Sequence, residues 1–298
     1  MTRRVAVIIP AYHSEQTIQA ALETMSRQTY ADYELIVVDS SPDDHTALIA
    51  QGYPHVRYEH HQGRLLPHAA RSRGVALTGG ELLVFSDPDI IAPPEWLERL
   101  VAAYEARGGA VVGAVACHGR RWLAMGMHLS KFDSWLPGGD VRRIEIGLTA
   151  NMLVARRDFE AVGGFKQNKM LGDTILSWDL VENGVPIWFV PAAVVEHHHV
   201  GTWGSLLVER FSRGGEFAEI RIERGGWSQA RTAAHLIVTL LPLRLIALML
   251  RIARNAWRAG LFGELLRVSP VVVSAQSAWL LGEAVVYLRR LAGRHRAS

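Results

Sequence analysis

The first 200 residues alternate short apolar runs with segments whose apolar residues recur every third or fourth position. Short apolar runs predict buried strands, and the helical spacing predicts amphipathic helices. The predicted strands comprise residues 5–10, 34–39, 56–59, 82–86, 110–116, 148–155, 187–191 and 193–196. The predicted helices comprise residues 15–28, after a cap at Ser14, and residues 67–78, 93–107 and 174–183. Residues 118–147 show neither pattern, and we expect a long functional or mobile loop there.

Regular alternation of strands and helices is typical of an α/β fold with one mostly parallel sheet flanked by helices. In such sheets, ligands bind beyond the carboxyl ends of the strands. Three predicted strands end at Pro10, at Asp39, and at the pair Asp87 and Asp89. We therefore expect these residues to border one crevice. Neither a Gly-x-Gly-x-x-Gly nor a Walker-type loop follows the first strand, which argues against a dinucleotide or P-loop site.

The pair Asp87 and Asp89 is the strongest chemical signal in the chain. An apolar run stops abruptly at these two carboxylates, which would point the same way if the backbone stayed extended. Oxygen ligands of this kind suit Mg²⁺ or Mn²⁺, ions that also bind substrate phosphates. The alternative is an ordinary turn, because Asp-Pro-Asp is also good turn chemistry.

Two later stretches add candidate residues to this site. His197, His198 and His199 follow the last predicted strand, so one imidazole could complete a metal site, or all three could lie in a solvated loop. Asp173 stands at the start of the helix predicted over residues 174–183, and the local pattern alone reads it as an N-cap.

The last third of the chain differs in charge and hydropathy. Residues 1–200 contain 18 Lys and Arg against 23 Asp and Glu, whereas residues 201–298 contain 14 arginines against 6 acidic residues. Two apolar stretches, 233–250 and 268–288, are each close to the length of a membrane span. Polar residues interrupt both, and basic residues flank both. This combination favours a helix lying on an anionic membrane surface, or a hairpin that returns to the same side, and argues against nucleic-acid binding. A spanning pair and a helical pair packed on the body of the protein are the alternatives.

Composition and the start of the chain agree with an intracellular α/β protein. The 49% hydrophobic content allows a large core, and the single cysteine, Cys117, fits a reducing compartment. The apolar run at residues 5–10 is too short for a signal-peptide core and is predicted to be a strand.

Five motifs in order resemble those of family-2 glycosyltransferases with a GT-A fold. The matching stretches are Val5-Ala-Val-Ile-Ile-Pro-Ala-Tyr12, Glu34-Leu-Ile-Val-Val-Asp39, Ala70-Arg71-Ser72-Arg73-Gly74, Asp87-Pro88-Asp89, and Gly163-Gly164-Phe165 followed by Asp173. The resemblance covers about residues 4–215. It implies a GT-A domain over residues 1–215, with a Rossmann-like nucleotide-sugar half (1–117) and an acceptor half (118–215), followed by a helical tail (216–298).

The resemblance also implies a function and a set of site residues. It implies transfer of a single sugar from a nucleotide-sugar donor to an acceptor hydroxyl, with inversion and a divalent metal, Mn²⁺ or Mg²⁺. The implied residues are Pro10, Ala11, Tyr12, Glu15, Asp39, Arg71 and Asp87 for the nucleotide sugar, Asp89, Asp87 and His198 for the metal, and Asp173 for the base. With the basic tail, it favours a glycan or lipid-linked acceptor at the cytoplasmic side of a membrane.

The sequence also departs from the family pattern. His13 replaces the usual Asn, Ser40-Ser41-Pro42 replaces the usual Asp-Gly-Ser, and Gly172 stands where an acidic residue usually precedes the base. The Gln-x-x-Arg-Trp signature of processive synthases is absent, which favours single-sugar transfer. Two alternatives remain open at this point: a sugar nucleotidyltransferase, and a catalytically silent membrane-bound binder of sugar nucleotides.

Overall fold

The computed structural model describes residues 4–166 and 169–293. The described chain forms two compact units. Unit 1 contains residues 4–118 and 137–198, and unit 2 contains residues 119–136 and 199–293. A segment from within the expected acceptor half, residues 119–136, belongs to unit 2, and the expected domain boundary between residues 215 and 216 stays a prediction.

Nine strands form the single sheet of unit 1. They are β1 (Val5–Ala11), β2 (Tyr33–Asp39), β3 (Val56–His60), β4 (Leu82–Ser86), β5 (Ile90–Ile91), β6 (Ala110–Cys117), β7 (Arg142–Ile144), β8 (Asn151–Ala155) and β9 (Ile187–His197). The strand order is β3-β2-β1-β4-β8-β6-β9-β5, and β7 pairs with β9.

The sheet is parallel in its first half and mixed in its second. Strands β3, β2, β1 and β4 pair in parallel, as the alternating pattern predicted. Strand β8 lies between β4 and β6 and pairs antiparallel with both, whereas β6 and β9 pair in parallel. A single α/β sheet is confirmed, but it is mixed rather than mostly parallel, because β5, β7 and β8 all pair antiparallel with their neighbours.

Eleven α-helices are present in the described residues. They are α1 (Ile18–Met25), α2 (His45–Gln51), α3 (Pro67–Ala76), α4 (Trp96–Arg107), α5 (Trp122–Phe132), α6 (Arg156–Ala161), α7 (Gly172–Glu182), α8 (Trp203–Gly225), α9 (Gln229–Leu240), α10 (Pro242–Arg258) and α11 (Phe262–Leu291). Helix α1 is shorter than the predicted residues 15–28, because its N-cap is Thr17 rather than Ser14. The expected loop at 118–147 instead contains α5, the 3₁₀ turn Asp133–Trp135 and β7.

A buried amide explains why the two strands predicted at residues 187–191 and 193–196 are one strand, β9. The register between β6 and β9 shifts at Gly113 and Ala114. The Asn151 side chain donates 2.9 Å hydrogen bonds to the Ala114 and Ala193 carbonyls and accepts one of 2.8 Å from the Trp96 indole. These bonds satisfy backbone groups that the irregularity would otherwise leave unpaired, so the strand continues through it.

Unit 2 is built around α11. The backbones of α8 and α11 approach closely at two glycines. A Cβ at Gly214 would collide with the Trp279 backbone, and one at Gly282 would collide with the Phe211 carbonyl. Polar residues of α11 face the protein: Gln276 donates to the Ser130 carbonyl at 2.9 Å. Among the described residues, α11 alone is a single helix long and apolar enough to cross a membrane, and half of its apolar window is buried.

Helices α9 and α10 form a bent pair. The first apolar stretch of the tail breaks at Leu241 and Pro242, and the two helices meet at 67°. Proline suits the first turn of α10 because its missing N–H would be unpaired there in any case. The stretch is therefore two helices rather than one straight segment.

Candidate active site

Asp39, the last residue of β2, is held by a set of hydrogen bonds. Its Oδ1 accepts from the Ser41 hydroxyl at 2.7 Å and the Ser41 backbone N–H at 2.9 Å. Its Oδ2 accepts from the Tyr58 hydroxyl at 2.8 Å. Burial, followed by the hydrogen bond to Asp39, raises the pKa of Tyr58, so the phenol remains a donor. Ser41, which departs from the family pattern, thus fixes the orientation of this carboxylate.

The loop after β1 is tied to the loop after β2. The His13 backbone N–H donates to the Ser41 hydroxyl at 2.8 Å, and His13 adopts a left-handed φ of 48°. Pro10 and Ala11 lie inside β1, whereas the Tyr12 ring is exposed, with the Arg64 guanidinium 4.6 Å from its centre. Because β1 and β2 are parallel neighbours, their ends place Tyr12 and Asp39 on the same edge of the sheet.

Glu15 is the remaining residue predicted for the nucleotide-sugar site. Among the described residues, its Oε2 atom is buried without a hydrogen-bond partner. A buried carboxylate oxygen in this condition has unused capacity to accept a hydrogen bond.

Asp87 and Asp89 lie in a turn rather than an extended strand. Strand β4 ends at Ser86, and β5 begins at Ile90. Asp87 forms an ion pair with Arg71, whose side chain is buried on α3 and also donates to the Ser86 carbonyl at 3.3 Å. The turn interpretation therefore describes this segment, and the metal interpretation stays a prediction that the turn allows, since it brings the two carboxylates together.

Strand pairing selects one histidine of the three at residues 197–199. Ile90 of β5 pairs with His197 of β9, which places the His197 Nε2 atom 3.3 Å from Asp89 Oδ2. Ligand atoms of Asp87, Asp89 and His197 all lie within 4.8 Å of one another. His198, the metal ligand chosen from the sequence, instead contacts Asp89 through its backbone N–H at 2.8 Å and places its ring 5.2 Å from that of His118.

This set of side chains fits a divalent ion. Two carboxylates and one imidazole are donors that Mn²⁺ accepts, and Mg²⁺ accepts the carboxylates. Three protein ligands leave coordination positions for other oxygens, including those of a diphosphate.

Asp173 lies in the first turn of α7 and is not its N-cap, which is Leu171. One carboxylate oxygen accepts from the Thr174 backbone N–H at 2.8 Å. The positive end of the helix dipole stabilises a negative charge at this position. Asp173 is half-buried, so its carboxylate keeps some access to solvent.

Sequence reasoning missed Tyr58, Ser41 and His68 as neighbours of the predicted site residues. Tyr58 reaches Asp39 only because β3 pairs with β2. His68 bonds to the carbonyl of Met170, which is distant in sequence. His68 and Arg71 are three residues apart on one predicted helix, and residues at that spacing share a helix face. This spacing is the sequence signal that could have identified His68 as a neighbour of Arg71.

The comparisons with known proteins find sugar transferases. The sequence model described as "Glycosyl transferase family 2" matches residues 6–155. Glycosyltransferase AglE of Haloferax volcanii is 27% identical over 221 residues, covering 70% of this chain and 71% of that protein. The undecaprenyl-phosphate 4-deoxy-4-formamido-L-arabinose transferase of Proteus mirabilis is 32% identical over 118 residues, 37% of this chain and 36% of its own length.

The fold also has a solved counterpart. The mannosyltransferase PcManGT from Pyrobaculum calidifontis, in complex with GDP-Man and Mn²⁺, superposes with a TM-score of 0.59 at 19% identity. The match covers 92% of this chain and 88% of that one. Since the family model also matches about half of the sequence, the chain belongs to glycosyl transferase family 2 and is a glycosyltransferase.

Proposed function

We propose that the protein transfers a single sugar from a nucleotide-sugar donor to a hydroxyl of a lipid-linked acceptor, in a metal-dependent, inverting reaction. The observation that carries the proposal is the convergence of Asp87, Asp89 and His197 at the end of β4. A nucleoside diphosphate is the leaving group of such a transfer, and an Mn²⁺ or Mg²⁺ bound there would supply Lewis-acid stabilisation of its developing charge.

Residues of this chain bind the donor nucleoside and position the metal ligands. Asp39, oriented by Ser41 and Tyr58, accepts hydrogen bonds from the donor nucleoside, and Tyr12 offers an exposed ring beside it. Arg71 holds Asp87 in place through their ion pair. These contacts fix the donor and its metal ligands before reaction, which is how positioning lowers a barrier.

Asp173 acts as the general base. Its carboxylate takes the proton of the acceptor hydroxyl while the acceptor oxygen bonds to the anomeric carbon. The bond from that carbon to the diphosphate oxygen breaks, and the nucleoside diphosphate leaves with the electron pair. Attack opposite the leaving group inverts the anomeric centre. A base positioned in this way contributes about 10²–10⁴-fold to the rate.

Two observations favour a lipid-linked acceptor. The Proteus mirabilis relative is named for undecaprenyl phosphate. The bent pair α9 and α10 also exposes large apolar side chains, with Leu243, Ile246, Leu250 and Trp257 recurring on one face of α10. Arg254 and Arg258 are exposed near the end of that helix. An apolar face next to arginines is the composition of a helix lying on an anionic membrane surface.

The proposed attachment is at the cytoplasmic side of the membrane, where nucleotide sugars are made and anionic lipids attract arginines. Arg244, which interrupts the apolar stretch, forms a 2.8 Å ion pair with the fully buried Glu283. Its charge is thus compensated inside unit 2, and Arg251, further along α10, forms a 3.0 Å ion pair with the buried Asp133 of the same unit.

The substitution Asp173→Asn tests the proposal. It keeps the shape of the side chain but removes its basicity, so nucleotide-sugar binding should persist while turnover falls by about 10²–10⁴-fold. Binding is measured by thermal stabilisation with UDP-glucose or GDP-mannose plus Mn²⁺, and turnover by release of nucleoside diphosphate. Asp179→Asn, on the same helix, is the matched control and should retain activity. Wild-type turnover in Asp173→Asn would remove Asp173 from the mechanism.

A further inference from the structure

His68 lies in the core of unit 1, on the same helix as Arg71. Its side chain is only 2% exposed. Its Nε2 atom is 3.2 Å from the Met170 carbonyl oxygen, and its Nδ1 atom is 3.4 Å from an Arg71 guanidinium nitrogen. The imidazole therefore contacts both Arg71, which forms an ion pair with Asp87, and Met170, which lies three residues before Asp173.

The two contacts are compatible with one tautomer of the neutral ring. A carbonyl oxygen can only accept a hydrogen bond, so His68 Nε2 must carry a proton to donate to Met170. A guanidinium can only donate, so Nδ1 must present its lone pair to Arg71. The neutral imidazole with its hydrogen on Nε2 satisfies both, and it connects them through a rigid five-membered ring.

Gly172 provides the space that the ring occupies. A Cβ built at residue 172 would lie 2.6 Å from His68 Cδ2 and 2.7 Å from Cγ, so any side chain there would push the imidazole or shift the start of α7. The Phe165 ring packs on His68 with 4.8 Å between ring centres, and also on Phe85 of β4 at 4.9 Å. Phe165 is therefore packed against both α3 and β4 by aromatic contacts.

We propose that His68 is a positioning residue that fixes the start of α7, and with it Asp173, relative to Arg71 and Asp87. The glycine at 172, where the family resemblance implies an acidic residue, is the complement that this ring requires. The inference rests on the proposed role of Asp173 as base. Displacing a catalytic group by about 1 Å can lower a rate by roughly 10²-fold, so a contact this tight has measurable consequences.

The test is a double-mutant cycle with Gly172→Ala and His68→Ala. Hydrolysis of UDP-glucose or GDP-mannose with Mn²⁺ gives kcat and the donor KM, and thermal unfolding gives Tm for the same four proteins. Each single variant should lower kcat by about 10-fold or more. Gly172→Ala should change the donor KM less than about 3-fold, because the collision displaces the base and not the donor site. The double variant should have the kcat of His68→Ala alone, since the added methyl fills the space that the ring leaves.

Gly74→Ala is the matched control for general destabilisation. Its Cβ would lie 2.5 Å from the Ile8 Cγ2 atom, a comparable collision on the same helix as His68 but against β1. Its effects should add to those of His68→Ala. Additive effects on kcat for the Gly172 pair, or coupling in Tm with unchanged kcat, would overturn the positioning role.

His68→Phe covers the case in which the alanine variants fold poorly. It keeps a packed ring but loses both nitrogen contacts, so kcat should fall while the protein remains folded. A wild-type kcat in this variant would overturn the proposal. Failure of the proposed base is distinguished by Asp173→Asn, which would then keep wild-type turnover. In that case the Tm values would still show coupling between residues 68 and 172, because their packing does not depend on the role of Asp173.

Discussion

At the scale of single residues, the proposed metal site depends on which histidine ends a strand. His197 closes β9 opposite Ile90, so its side chain is directed to the turn that carries Asp87 and Asp89. His198, one residue further, places its ring against His118 instead. Since side chains alternate along an extended chain, neighbouring histidines cannot both face the same carboxylates.

The single substitutions His197→Ala and His198→Ala form a matched pair that tests this assignment. Loss of a direct ligand should raise the Mn²⁺ concentration needed for half-maximal activity by about 10-fold or more, a change as large as those seen for supporting residues around metals. His198→Ala should change it little. The measurement is a metal titration of donor hydrolysis. Equal and small effects of both substitutions would place the metal elsewhere.

The residue scale also shows what the sequence could and could not predict. The pair Asp87 and Asp89 was recognisable because an apolar run ended in two carboxylates. The choice among three histidines was not, because it depends on the register between β5 and β9. The contact of Tyr58 with Asp39 was likewise hidden, since it requires the pairing of strands that are separate in sequence.

At the scale of elements, local patterns predicted the parallel half of the sheet well. Strands β1, β2 and β4 have apolar runs ending at turn or acidic residues, and these three and the more polar β3 were each located to within a few residues. The missed helix, α5, contains Trp122, Gly126, His128 and Ser130, so its apolar periodicity is weak. Its glycine is needed because a Cβ at residue 126 would meet the Val271 side chain at 2.6 Å. Tertiary packing therefore overrides local propensity here.

The crossing of α8 and α11 yields an element-scale prediction from two glycines on one helix. A Cβ at Gly282 would collide with the Phe211 carbonyl, and backbone cannot move aside as a side chain can. Gly282→Ala should therefore destabilise unit 2 by about 1–3 kcal/mol, the usual cost of overpacking.

Gly263 of the same helix is the control. No atom lies within 4 Å of a Cβ built there, so Gly263→Ala should be neutral or stabilise α11 by up to about 1 kcal/mol. Chemical denaturation followed by circular dichroism measures both variants. If the two alanines have the same effect, helix propensity rather than close packing determines the response at residue 282.

At the scale of the whole molecule, the two apolar stretches of the tail have different environments. Helix α11 packs within unit 2, and its Glu283 accepts hydrogen bonds from Arg244, Trp279 and Tyr287. Burial, followed by the charge of Glu283, raises the pKa of Tyr287 to about 12. Arg244, Gln276 and Glu283, which interrupt the two apolar stretches in the sequence, thus form contacts inside unit 2. Of the exposed large apolar side chains, seven lie in the stretch 233–250 and three in the stretch 268–288.

Membrane attachment is best tested on the exposed face of α10, since removing the whole tail would also remove α11 from the core of unit 2. The variant combines Leu243→Ser, Ile246→Ser, Leu250→Ser and Trp257→Ser, at positions that are half or more exposed. Their removal should leave folding intact but weaken binding to anionic liposomes by at least about 10-fold, because each buried CH₂ contributes about 0.8 kcal/mol.

Liposome co-sedimentation of wild type and variant, with and without anionic lipid and at two salt concentrations, separates the apolar and electrostatic contributions. The control carries Leu48→Ser and Val181→Ser, which remove exposed apolar side chains from unit 1. We expect wild type and control to sediment equally with anionic liposomes and the α10 variant to stay in solution. The variant should keep the donor-hydrolysis rate, since none of its four positions is part of the proposed catalytic site. If it sediments like wild type, the exposed face of α10 does not bind the membrane, and the proposal of a lipid-linked acceptor loses its structural support.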